Sequence, residues 1–140
     1  MPPTLCAVNK TINVMEFFKE IKQVNIDINN FKKLLTISAL PNFCNSIDTV
    51  LSEQNQEGEI YCVWGQFNIR REIIKYGVRF SLLNCPHALA WTITYNESEN
   101  DIVVHCTINK KEQDKDFVQS IHQFVSDWGH GIEAYLQNNT

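Results

Sequence analysis

The chain has 140 residues, 44% of them hydrophobic and 20% charged, and a formal charge of −4 at pH 7. That length suits one domain, 1–140, able to bury a core without metal or disulfide support, and the composition excludes a disordered chain. Twelve Lys and Arg against sixteen Asp and Glu argue against a nucleic-acid partner, since binding along a phosphate backbone needs surplus cations to displace counterions.

The first ten residues, Met1-Pro2-Pro3-Thr4-Leu5-Cys6-Ala7-Val8-Asn9-Lys10, hold no basic segment followed by an apolar leader core. Nowhere does the chain approach the roughly 18 apolar residues of a spanning helix. The five cysteines (Cys6, Cys44, Cys62, Cys85, Cys106) are odd in number and include no C-x-x-C pair. This usage suits free thiols in a reducing compartment. The expectation is a cytoplasmic protein with no membrane partner.

Residues 1–55 read as helical. Asn13 and Glu16 resemble a capping box, after which Val14, Phe17, Phe18 and Ile21 share one helical face. Asp27 or Asn29 can cap a second helix that turns Phe31, Leu34 and Leu35 inward. Pro41 fits the first turn of a third, with Phe43, Ile47, Val50 and Leu51 in one stripe. The run Gln54-Asn55-Gln56-Glu57-Gly58 is turn-like.

From Glu59 to Asn109 the period becomes two. Tyr61, Val63, Phe67 and Ile69 form one face of an extended run; Val78, Phe80 and Leu82 form the next. Leu89, Trp91, Ile93 and Tyr95, then Ile102, Val104, Cys106 and Ile108, complete four strands with one apolar face each. The polar loop 96–101 makes the last two a hairpin. Gly77 is read as the left-handed residue of a bulged turn after Lys75-Tyr76, with the register around Arg70–Gly77 ambiguous. Asp114 or Asp116 then caps a long helix whose inward set is Phe117, Ile121, Phe124, Val125, Trp128, Ile132, Tyr135 and Leu136. Gly129 and Gly131 inside it imply a kink or a close backbone approach.

The predicted fold class is therefore α+β: a four- to five-stranded antiparallel sheet with N-terminal helices, roofed on one face by a long C-terminal helix. This order is loosely similar to helix-grip ligand-binding proteins, to small acidic secretion chaperones and to toxin-immunity proteins. The helix-grip fold implies more strands than the roughly 50 residues of strand pattern would supply.

No phosphate-loop, dinucleotide, nucleophile-elbow or zincin signature is present, so no catalytic residue is assigned and a non-enzyme is favoured. Cys85-Pro86-His87 places a thiol and an imidazole on one side of an extended loop, a pairing that can activate a nucleophile. His105 and Cys106 point to opposite faces of a strand and cannot share a metal, so no metal and no cofactor are expected. Arg70, Arg71 and Arg79 lie within ten residues and could form an anion-binding or docking edge, or simply pair across strands, Glu72 with Arg79. Arg71 continues the alternation of Phe67 and Ile69 and would enter the apolar face. Trp64, opposite Tyr61 and Val63, is expected on the open face as part of an interface. The main expectation is a protein-interaction module that binds another protein or itself as a homodimer. The alternative is a small-ligand-binding protein or enzyme with a pocket between sheet and C-terminal helix, Cys85 and His87 at its mouth.

Overall fold

A computed structural model describes residues 14–109 and 114–138. Seven strands form one antiparallel sheet: β1 (Val14–Ile21), β2 (Ile47–Gln54), β3 (Glu57–Cys62), β4 (Gly65–Ile74), β5 (Gly77–Leu82), β6 (Ala90–Asn96) and β7 (Asp101–Asn109). Their order in space is β1-β7-β6-β5-β4-β3-β2. Two short helices, α1 (Ile28–Leu34) and α2 (Leu40–Phe43), carry the chain from one sheet edge to the other. The long helix α3 (Lys115–Asn138) packs on the inner face of the sheet.

The class is as expected, but the strand number is not. The first predicted helix is β1, paired with β7 from Val14↔Asn109 to Ile21↔Ile102. Its inward residues are Met15, Phe17, Lys19 and Ile21. Lysine within that set, and Phe18 outside it, disguise period two as a helical stripe. The predicted cap Asn13 lies outside the described residues. The third predicted helix stops after Phe43 and the chain continues as β2, an edge strand whose register shifts twice against β3. Those irregularities, and exposure of nearly every residue after Ile47, remove the alternation that would reveal it.

The expected single run through Tyr61, Val63, Phe67 and Ile69 is two strands joined by a two-residue turn at Val63–Trp64. Gly65 follows with φ at 115°, a value that L side chains rarely adopt. Residues opposed across this hairpin, such as Ile60 and Phe67, are an odd number of positions apart. The inward parity must therefore switch. Ile60 and Cys62 point in before the turn, Ile69 and Arg71 after it, while Tyr61 and Val63 are exposed. Gly77 is not left-handed either: it begins β5 opposite Thr94, where an added Cβ would meet the Ile93 carbonyl oxygen at 1.9 Å.

The second helix, the 96–101 hairpin and the last helix form as read, except that Leu34, expected inward with Phe31 and Leu35, is exposed. Asp27 caps α1 by accepting from the Asn29 N–H at 3.0 Å, and Asp114 accepts from the Asp116 N–H at 3.2 Å. Ile121, Phe124, Val125, Trp128 and Ile132 of α3 are buried; Phe117, Tyr135 and Leu136 are half-buried. The glycines mark close approach: a Cβ on Gly131 would lie 1.7 Å from the Phe43 carbonyl oxygen of α2.

Candidate functional site

The space between sheet and α3 is filled by aromatic side chains. Trp91 of β6 and Trp128 of α3 are both at most 1% exposed, with ring centroids 6.4 Å apart. Phe80 stacks on Trp91 at 5.3 Å, and Phe124 meets it edge-on at 4.9 Å. Phe43 stacks on Trp128 at 6.1 Å and in turn contacts Tyr135 at 5.6 Å. Large rings sit here because alternate residues of β5 and β6 face the apolar stripe of α3. The indole nitrogens of Trp91 and Trp128 are buried and have no acceptor among the described residues. A buried donor left unsatisfied costs about 1–3 kcal/mol.

Tyr135 leads from this interior to the surface. A cleft of about 160 Å³ opens between α1 and the end of α3, lined by Ile26, Asn30, Phe31, Leu34, Tyr135 and Leu136, with Asn25 and Asp27 at its rim. The segment leading into α1 is tied to the sheet: Tyr95 Oη donates to the Val24 carbonyl at 2.9 Å, and the Val24 N–H to Asn100 O at 2.8 Å.

The arginines do not gather into one edge. Arg70 and Arg79 lie on the outer face, Arg70 ion-paired with Glu57 at 3.0 Å and Arg79 reaching Glu72 at 3.9 Å, the cross-strand partner expected. Arg71 enters the inner side, as its alternation implies, and is 6% exposed. It donates to the carbonyls of Leu35 and Lys32 and to Gln56 Oε1 at 2.9 Å, so it caps the C-terminal end of α1. Burial lowers the proton affinity of its guanidinium, and the charge of Glu53 partly offsets this.

Trp64 does not face the open side. From the β3–β4 turn it folds over α3, where Nε1 donates to Ser120 Oγ at 2.7 Å and the ring contacts Phe124 at 5.1 Å. The His87 ring packs on Phe117 at 4.4 Å rather than bonding to Cys85, and the His87 carbonyl accepts from Asn109 N–H at 2.9 Å. Cys85 is half-buried beside the core. Burial pushes Cys62 above its ordinary range, and the charge of Cys85 adds a little to that shift. Among the described residues no cluster of His, Cys, Asp and Glu could hold a metal ion, and no helix is long and apolar enough to cross a membrane.

The sheet wraps one long helix, with two short helices closing one end, and solved structures share this arrangement. A START superfamily protein from Mycobacterium smegmatis superposes with a TM-score of 0.60 at 11% identity, over 91% of this chain and 99% of that one. The two chains are similar in fold. Ginseng major latex-like protein 151 from Panax ginseng superposes with a TM-score of 0.53 at 13% identity, over 89% and 98% of the two chains. The di-domain ARO/CYC protein BexL, from the BE-7585A biosynthetic pathway, gives 0.50 at 11% identity; the match covers 94% of this chain and 49% of BexL. No protein-family model matches the sequence, and no curated protein matches it. The seven strands thus supply what the helix-grip resemblance requires and the strand pattern alone does not.

Proposed function

We propose that the protein binds a small, largely apolar ligand between its sheet and α3, with entry through the cleft between α1 and Tyr135. The fold shared with the START superfamily protein supports this alternative better than the protein-interaction module. The observation that carries it is the pair of acceptorless indole N–H groups, from Trp91 and Trp128, inside an otherwise apolar interior. A ligand with an aromatic or aliphatic body and one hydrogen-bond acceptor, such as a carbonyl, complements that interior.

The cleft measures about 160 Å³, and side chains fill the interior behind it. Sites for drug-sized ligands run to about 300–1,000 Å³. Binding therefore requires α1 to swing away from Tyr135 and Leu136. Arg71 holds the C-terminal end of α1, and Phe31 is the one buried residue within the helix. The helix is thus anchored at its C-terminal end by Arg71 and, four residues ahead of its start, by the ties at Val24, and is weakly held between them.

The test is titration with the neutral fluorophore N-phenyl-1-naphthylamine, read by energy transfer from tryptophan. Saturable one-to-one binding is expected, weakened at least tenfold by Leu34→Arg, which puts a charge in the mouth. Absence of saturation, or an affinity unchanged in Leu34→Arg, defeats the proposal.

A further inference from the structure

On the other side of α1 lies a second, wider cleft, about 560 Å³, lined by Asn29, Lys32, Lys33, Thr36, Arg71 and Ile73. Arg70 and Arg79 reach carboxylates, but Arg71, Lys32 and Lys33 take part in no ion pair with a described residue. Glu53 is close enough to act on the charge of Arg71 without pairing with it. Three of the five N–H donors of Arg71 are used, and Lys32 gives one to the Lys75 carbonyl at 2.8 Å.

The carbonyl ends of α1 account for some of this charge, since cations suit a helix C-terminus. They do not account for three cations on one concave wall, unpaired, in a chain of net charge −4. Such a wall focuses a positive potential on whatever enters it. The chemistry of the donors narrows the guest. The fork formed by Nε and Nη2 of Arg71 is filled by the carbonyls of Leu35 and Lys32. A planar carboxylate therefore loses the side-on seat of the guanidinium. What remains is a set of separate donors: the spare guanidinium N–H groups, two ammonium groups and the Thr36 hydroxyl, which shares a hydrogen bond with Ser38 Oγ at 3.1 Å. A tetrahedral oxyanion takes hydrogen bonds from several directions and matches that set.

We propose that this cleft, where Arg71, Lys32, Lys33 and Thr36 meet beside α1, is a binding site for the phosphoryl group of a soluble small molecule. The site is separate from the apolar cleft and stands whether or not that cleft takes a ligand.

Amide NMR shifts recorded during titration with inorganic pyrophosphate, at constant ionic strength set by chloride, test it. A saturable response centred on residues 29–36 and 71 is expected, with at least tenfold weaker binding in Lys32→Gln/Lys33→Gln. Citrate serves as the carboxylate arm and is expected to bind at least tenfold more weakly than pyrophosphate. Vesicles of phosphatidylcholine with phosphatidic acid serve as the lipid arm and are expected not to co-sediment the protein. No saturation with pyrophosphate, equal affinity in the double variant, or citrate binding as tightly overturns the proposal. Co-sedimentation with the vesicles without a pyrophosphate response overturns it in favour of a headgroup.

Discussion

Cys44 and Cys106 are buried thiols whose environments penalise the thiolate. Burial pushes each from its usual 9.0 up to about 12; at Cys44 the charge of Asp127 adds to this while N–H groups of Ser46 and Ile47 pull the other way, and at Cys106 Cys85 adds. Between pH 9 and 12 the unfolded chain releases these protons while the folded chain keeps them. Their contribution to stability is thus fully present below pH 9 and is lost as pH rises through that window. Each thiol contributes a slope of about 1.4 kcal/mol per pH unit there. Urea unfolding at pH 8 and pH 10 should show the wild type losing roughly 2–3 kcal/mol more than Cys44→Ala/Cys106→Ala. Equal losses in the two proteins would show that burial of these thiols is not what sets the alkaline limit. At this scale the sequence was readable where a residue obeyed its strand's parity, as Arg71 did. The side on which Trp64 lies depends on a two-residue turn that shifts parity, and a lone Trp-Gly pair does not announce such a turn. Lys32 and Lys33 gave no signal, because what brings them to Arg71 is the crossing of α1 over the sheet.

The elements that were legible are those with a complete apolar face. α3 has one over five turns, and β6 and β7 alternate along their whole length. β1 and β2 were unreadable because edge strands bury only part of one face; their remaining positions carry whatever the surface tolerates. The two glycines of α3 separate propensity from packing. At Gly129 an added methyl would meet the side chain of Lys19, 2.8 Å away and flexible. At Gly131 it would meet the Phe43 backbone at 1.7 Å, and α2 cannot yield without dragging Phe43 off Trp128. Alanine gains up to about 1 kcal/mol over glycine in a helix interior, whereas overpacking costs about 1–3 kcal/mol. Gly129→Ala should leave the melting temperature unchanged or raised. Gly131→Ala should lower it by several degrees, and thermal unfolding of the two variants side by side is the check. A Gly131→Ala protein as stable as the wild type would mean that α2 does not pack against α3 as described.

Across the whole molecule, stability is unevenly spread, and the uneven part coincides with the proposed entrance. β6 and β7 are central strands, hydrogen-bonded on both sides and covered by α3. α1 is seven residues long with Phe31 as its one buried side chain, too short to hold itself together in water. Such segments open locally at a small fraction of the global unfolding free energy. Amides of α1 should therefore exchange with solvent roughly 100-fold or more faster than those of Trp91, Ile93 and Val104, a gap of about 2.7 kcal/mol. If the opening is also the route to the interior, saturating the protein with N-phenyl-1-naphthylamine should slow exchange in α1 and leave the central strands as they were. Mass-resolved hydrogen exchange on peptides spanning 25–36 and 90–106 reads both effects together. Equal protection of α1 and the sheet in the free protein would remove the gate. Probe binding with no change in α1 would instead place the route elsewhere, since a helix that must move to admit a ligand cannot be indifferent to the ligand that holds it shut.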